Sequence, residues 1–248
     1  MKPLKRVLGC LRKADNDFKL ISDGDRIAVG LSGGKDSSAL LYCLNLYKQF
    51  SKKQYEIVPV YIDLGFENSA MTPVLEYFEE LGCPVKVVKS QILDILNLNL
   101  DNNGTIQCSL CAKLRKGALV NAAREAGCNK IALGHHGDDA VETLLLNMIH
   151  GGRIATFSPN TYLSNSGVIQ LRPLIYALES DIRRMVNDLG IPVYKNTCPR
   201  DGYSQRQDMK DLLKEIYKKY PQARNNFQLM LRNIDQLELL EPVEEKSE

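Results

Sequence analysis

Ser32-Gly-Gly-Lys-Asp-Ser37 is the densest run of chemistry-bearing residues in this 248-residue chain. Its two adjacent glycines let the backbone come close to an anion. Ser32 and Ser37 add hydroxyl donors, and Lys35 either adds charge or points to solvent. A short apolar run, Arg26 to Leu31, precedes the loop, and a helical pattern, Ser38 to Tyr47, follows it. Amide N–H groups and the dipole of such a helix N-terminus favour phosphate. The spacing is not that of a Walker A loop: Gly30 to Gly34 is one residue short, and Asp36 follows the lysine. An acid beside phosphates makes sense once a divalent cation is included, so Asp36 is a candidate Mg²⁺ ligand.

Cysteine spacing marks a second site. Cys108-Ser-Leu-Cys111 opens a helical pattern after the polar stretch Asp101–Gln107. Both sulfurs can then face one metal ion, at the positive end of the helix dipole. A structural zinc site would need a second pair, whereas Cys10, Cys43, Cys83, Cys128 and Cys198 are all single. Cys43 lies on an apolar helix face, and Cys83 and Cys128 sit in Gly-Cys turns before strands; these three read as structural, and Cys10 has no obvious partner. Cys198, in the polar run Asn196–Gly202, is the candidate third ligand. Three thiolates suit a [4Fe–4S] cluster with one open iron; a persulfide-carrying redox pair and an open zinc site come next, in that order.

Gly134-His-His-Gly-Asp-Asp139 joins a strand end to a helix start. Asp138 or Asp139 is the expected helix cap. Asp139 is also a candidate for holding Mg²⁺ or ribose, and Gly134, His135 and His136 for contacting phosphate or base. Asp63 ends the second strand at the same edge, where it reaches ribose or starts a turn. Arg172 stands before Pro173 and contacts AMP, RNA phosphate or a surface acid. His150 reads as a helix C-cap. Arg183, Arg184, Lys195, Arg200 and Arg206 could line an RNA path, with Tyr203 stacking on a flipped base.

Strands expected at 26–31, 56–62, 84–88, 130–133 and 168–171 alternate with helices at 38–47, 72–81, 110–126, 138–149, 179–189, 208–219 and 223–240. An amphipathic helix opens the chain. The pattern implies an α/β fold with a doubly wound parallel sheet and a helical C-terminal extension. Three units are expected: an N-terminal amphipathic helix over 1–22, a nucleotide-binding and Fe–S domain over 23–200, and the C-terminal extension with an acidic tail over 201–248. Hydrophobic residues make up 44% and net charge is only +2, so composition alone does not announce nucleic acid. The basic N-terminal helix could touch RNA phosphates or be a solvated face. No apolar run approaches a membrane span and no secretory pattern opens the chain, so a cytoplasmic location without membrane association is expected.

These motifs together resemble the tRNA 2-thiocytidine synthase (TtcA-like) family of PP-loop ATP pyrophosphatases, from about Arg6 to Leu212. The resemblance rests on Gly24-Asp-Arg26, Ser32–Ser37, Cys108-Ser-Leu-Cys-Ala-Lys-Leu-Arg115 and Lys130–Asp139. It continues through Leu145 and Asn147 with Gly151-Gly152, Arg172-Pro-Leu174, Cys198 and Gln205-Arg-Gln207. It implies ATP and Mg²⁺ at the loop and adenylation of a cytidine C2 oxygen in a tRNA anticodon loop. Sulfur then displaces AMP by way of a [4Fe–4S] cluster on Cys108, Cys111 and Cys198. The sulfur donor is a cysteine desulfurase or free sulfide, and a homodimer is an open option. The chain departs from the family's CxxCGSQ run, having Lys195 before Cys198 and Pro199-Arg-Asp after it. It also lacks the paired zinc-ribbon motifs of the 2-thiouridine synthases, which favours cytidine. A tRNA 2-thiouridine synthase, a PP-loop amidating enzyme and a zinc-containing RNA-binding module without catalysis are the alternatives.

Overall fold

The computed structural model describes residues 2–66, 71–102, 104–194, 205–236 and 239. Its elements run α1 (Lys2–Phe18), β1 (Arg26–Gly30), α2 (Lys35–Phe50), β2 (Glu56–Asp63), α3 (Thr72–Glu80) and β3 (Lys86–Lys89). Then come α4 (Ile92–Leu98), α5 (Cys108–Glu125), β4 (Lys130–Ala132), α6 (Gly137–Gly151), β5 (Asn160–Leu163) and β6 (Val168–Leu171). Helices α7 (Glu179–Asp188), α8 (Gln205–Lys219) and α9 (Ala223–Met230) close the order.

The sheet has the order β3-β2-β1-β4-β6-β5. Every pairing is parallel except that of β5 with β6. Strand β1 reads Arg-Ile-Ala-Val-Gly, and Ile27, Ala28 and Val29 are fully buried, as expected of a strand covered on both faces. On one face Ile27 and Val29 pack with Leu11 of α1, Leu40 and Leu44 of α2, Phe78 of α3 and Met185 of α7. On the other, Ala28, Val60 and Ile131 pack with Leu119 and Ala123 of α5. Helix α1 therefore belongs to the main core through Val7, Leu11 and Ala14.

Four differences from the sequence expectation have physical causes. Helix α2 starts at Lys35, three residues early, because Ser38 N–H already bonds the Gly34 carbonyl; half of the loop is thus the first helical turn. Helix α4 is one short segment held by buried Ile92 and Leu96; it is rich in apolar residues but too short for a helical period to stand out. Strand β5 is an antiparallel edge with Tyr162 exposed, formed because the Ser166-Gly167 turn folds the chain back onto β6. The helix expected over 223–240 ends at Met230, where Arg232, Asn233 and Gln236 make three-residue bonds to Leu229, Met230 and Asn233.

A buried ion pair fastens the N-terminal end of the sheet. Lys130 Nζ donates to Asp25 at 2.6 Å and to the Leu20 carbonyl at 2.8 Å, both side chains being under one-tenth exposed. Asp25 also accepts from Ser22 N–H and Asn129 Nδ2. Replacing Lys130 by Met leaves this carboxylate buried without its cation. The expected loss is about 3–5 kcal/mol in urea unfolding, and a loss under about 1 kcal/mol would contradict this account.

Candidate functional site

The nucleotide loop is organised by its own hydroxyls. Ser37 Oγ accepts from Ser32 N–H at 3.1 Å and donates to the Gly34 carbonyl, and the Ser32 and Ser37 hydroxyls lie 3.0 Å apart. Gly33 has φ +78°, and a Cβ there would fall 2.7 Å from both Met71 Sδ and Tyr194 Cβ. Tyr194 N–H donates to the Gly33 carbonyl. Helix α2 has no side-chain cap, so its first amides are open to an anionic partner. The loop opens into a cleft of about 880 Å³ beyond the C-terminal ends of β1, β2, β4 and β6. This is the crevice where strand order changes direction.

A second turn closes on the first. Gly134 lies so near α2 that a Cβ would stand 2.9 Å from the Asp36 carbonyl. His136, not Asp138 or Asp139, is the N-cap of α6. Its Nδ1 accepts from Asp139 N–H, while Asp139 Oδ2 accepts from His136 N–H at 2.9 Å. The expected aspartate cap is corrected: Asp139 is the reciprocal partner of a capping box, and the buried imidazole is the cap. His136 Nε2 is 3.6 Å from Asp36 Oδ1 and equally far from Asp139 Oδ2. Asp138 turns away to accept from Glu179 N–H at the start of α7.

Lys35 neither projects to solvent nor stands alone. Its ammonium lies 2.9 Å from Asp36 Oδ2 and 2.9 Å from Glu179 Oε1. Burial opposes its charge, but the two carboxylates outweigh burial and raise its pKa. Glu179 also bonds Lys210 of α8 at 2.9 Å and Arg183 at 3.0 Å. Burial disfavours its anion, yet Lys210 and Lys35 overcome that and hold it well below the usual carboxylate range. Arg206, also on α8, bonds Asp139 at 3.3 Å and Thr143. Glu142, one turn further along α6, is pushed up to about 7 by burial and by Asp139.

The far wall carries His135, Gln170 and Arg172. The Arg172 guanidinium stacks on Phe157 at 4.7 Å and donates through Nη1 to the Ser158 carbonyl and to Thr161. Among the described residues no carboxylate pairs with it, and burial pulls its pKa down to about 10. His135 packs on the same ring at 5.3 Å. Burial lowers its pKa to about 4, Asp139 opposing and Arg172 assisting, so it is neutral near pH 7.

Cys108 and Cys111 occupy the first turn of α5, Cys108 exposed and Cys111 half-buried. Ala112, Arg115 and Leu119, which line the cleft, follow at spacings of three and four residues and continue the same helical stripe. The thiols therefore stand about 6 Å, one turn, along the face that walls the cleft. Cys198, Lys195, Arg200 and Tyr203 lie outside the described residues. The chain departs for that segment at Tyr194, which lines the cleft, and returns at α8, where Arg206 bonds Asp139. Cys43, Cys83 and Cys128 are buried, and burial raises all three thiol pKa values.

Against this geometry, residues 9–213 match the family model described as a PP-loop domain. The chain is 38% identical to the tRNA-cytidine(32) 2-sulfurtransferase of Pelobacter propionicus, over 96% of this chain and 88% of that protein. It is 37% identical to the enzyme of the same name from Geobacter sulfurreducens, over 96% and 93%. The chain belongs to the PP-loop tRNA 2-thiocytidine synthase family. Among solved structures it resembles the U34-tRNA thiolase NcsA from Methanococcus maripaludis, bearing its [4Fe-4S] cluster, with TM-score 0.70, 24% identity and coverage of 93% and 79%. It also resembles the NH3-dependent NAD synthetase of Campylobacter jejuni, with TM-score 0.51, 18% identity and coverage of 96% and 99%. These two likenesses speak for the PP-loop α/β fold alone.

Within this PP-loop cleft the structure gathers Ser32, Gly34, Lys35, Asp36, Ser37, Gly134, His135, Asp139 and Arg172. Asp63 is not among the lining residues; its Oδ1 accepts from Gly65 N–H and starts a turn. Sequence reasoning missed Glu179, Gln170 and Phe157. Glu179 begins a helix like any other acid in a first turn, and only the tertiary fold brings Lys35 and Lys210 to it. Of the expected RNA-path cations, Arg183 pairs with Glu179 within α7, and Arg206 ties α8 to α6 through Asp139. On the N-terminal helix, Arg6 reaches Asp181 and Lys13 reaches Asp17.

Because the folded pKa of Glu179 lies below its ordinary value of 4.5, its stabilisation is complete above that pH and fades as pH falls further. Glu179→Gln is expected to cost about 1–3 kcal/mol at pH 7. That gap should be constant between pH 6 and 8 and narrow steadily below about 4.5. Urea titrations of both proteins across this range check it, and a gap that widens in acid would contradict it.

Proposed function

We propose that the protein is an ATP-dependent tRNA sulfurtransferase that adenylates the C2 oxygen of a cytidine and exchanges it for sulfur. The observation that carries the reading is the α5 stripe: the Cys108-Ser-Leu-Cys111 pair shares one helix face with residues that wall the nucleotide cleft. An amidating PP-loop enzyme has no use for thiols there, and an RNA-binding module has no use for the loop. The names of the relatives point the same way.

The implied groups fit the residues present. Asp36 Oδ1 is buried and has no hydrogen-bond partner, which suits a hard oxygen ligand for Mg²⁺ on the ATP phosphates. Cys108 and Cys111 supply two soft donors for a [4Fe–4S] cluster, and Cys198 is proposed as the third. When bound, the cluster supplies the sulfur.

The chain's own residues do the positioning. Amides of the Ser32–Ser37 loop and the α2 N-terminus hold the phosphates, and Lys35 balances their charge. The cytidine C2 oxygen attacks the α-phosphorus, and the bond to the β-phosphate oxygen breaks with its electron pair leaving on pyrophosphate. The oxygen later departs within AMP as the C2–sulfur bond forms. Arg115 and Lys116 line the cleft as cations on the thiol-bearing helix, where they favour the departing anions. Neutral His135 can accept or donate a hydrogen bond without adding charge. A cysteine desulfurase or free sulfide feeds the sulfur, and the setting is cytoplasmic. No helix among the described residues is long and apolar enough to cross a membrane.

Anaerobic purification followed by a visible spectrum and iron and sulfide analysis tests the reading. The wild type should be brown, with stoichiometric iron and sulfide, and should consume ATP in the presence of tRNA. Cys198→Ala should lose most of its iron and all thiolation. A colourless wild type holding one zinc without ATP turnover defeats the function, and an intact cluster in Cys198→Ala defeats the third ligand.

A further inference from the structure

We propose that Gln170, Arg172 and His135 form the subsite that reads the polar edge of the pyrimidine, with Gln170 distinguishing an amino from an oxo substituent. The inference rests on the tRNA-modifying reading and deepens it. Among the described residues, six buried side-chain polar atoms lack a hydrogen-bond partner, and four belong to residues lining this one cleft. Asp36 Oδ1 suits a cation. The other three are His135 Nδ1, Gln170 Oε1 and Arg172 Nε, all on the wall built by the ends of β4 and β6. Gln170 is 2% exposed and Arg172 9%. Orphaned buried polar groups are rare and costly, and three on one wall of a cleft point to a partner that arrives with the substrate.

The chemistry of the three selects that partner. Gln170 and Arg172 are two residues apart on extended chain, so they project to the same face about 7 Å apart. Arg172 is held by Phe157, the Ser158 carbonyl and Thr161, which leaves its Nε–H as the orphaned donor. Gln170 Oε1 accepts only. A phosphate accepts everywhere and leaves Gln170 Oε1 without a donor. A cytosine edge satisfies both, its exocyclic amine donating to Gln170 and its ring N3 or O2 accepting from Arg172. A uracil sets a carbonyl against the Gln170 oxygen instead, and must turn the amide over to be held. On the other side of β1, the wall along β2 offers Val60, Ile62, Leu64 and Phe66, an apolar surface suited to the flat adenine of ATP. The two bases of the reaction thus take opposite walls, with the phosphate loop between them.

Gln170→Met, an apolar side chain of similar length, tests this. The holoprotein is compared with wild type for binding anticodon stem-loop RNA carrying cytidine or uridine at position 32, with a non-hydrolysable ATP analogue present. The variant should bind the cytidine RNA about tenfold or more weakly, and the preference over uridine should collapse to within about twofold. Its unfolding temperature should be unchanged or higher, since an unsatisfied acceptor has been removed, and the affinity for the ATP analogue should be unchanged. Weaker ATP binding with base preference intact would assign the wall to adenine and overturn the proposal. A lower unfolding temperature with both affinities intact would show that Gln170 has a partner within the fold or a bound water, and would overturn it too. A wild type that neither binds the RNA nor consumes ATP with it fails the functional reading itself and takes the subsite with it.

Discussion

The site depends on one close approach. Where β1 and β4 lie side by side, the chain leaves them in opposite directions, into α2 and α6, and the two departures meet backbone to backbone at Gly134 and Asp36. No side chain fits between them. That contact brings the His136–Asp139 capping box against the first turn of α2, so two helix N-termini converge on one crevice. Their dipoles favour the same anion, and the acids among them need cations of their own.

Those cations come from far along the chain. Glu179 is held by Lys35 and Lys210, Asp139 by Arg206, and Arg224 of α9 stands 3.9 Å from Asp138. Helices α8 and α9 are thus bound to the rim of the nucleotide cleft through its acids as well as by packing. Arriving phosphates and a divalent cation would compete for these same partners. Glu179 matters here because it can keep Lys35 neutralised when Asp36 turns to a metal. A buried ammonium released by its only carboxylate would be costly, and one shared between two is not.

The sheet was legible because β1 and β4 are short apolar runs and their helices are long and periodic. Helix α4 and strand β5 were not, since Ile92 with Leu96 and a half-exposed Asn160–Leu163 carry too little pattern. The loop at Ser32–Ser37 was readable because its hydroxyls act locally, within five residues of one another, whereas the close packing of Gly33 on Met71 and Tyr194 was not. The cap of α6 was misassigned because side-chain preference favours aspartate, whereas burial of His136 beside three carboxylates decided it. Glu179, Gln170 and Phe157 act through partners distant in sequence, and no local spacing announces them.

In the proposed reaction α5 sets the distance between the two halves of the chemistry. A helix rises about 1.5 Å per residue, so Cys111 stands about 6 Å along the helix from Arg115, a cation that lines the cleft. Leu119, a turn further, is wedged against Gly30: a Cβ at Gly30 would come within 2.9 Å of its Cδ2. The absence of a side chain at the end of β1 therefore seats α5 at one height along the sheet. The same glycine that ends the strand before the phosphate loop thus lies against the thiol-bearing helix. Moving α5 by one residue would turn the cysteine face about 100° away from the cleft, which is why its packing, and not only its sequence motif, belongs to the site.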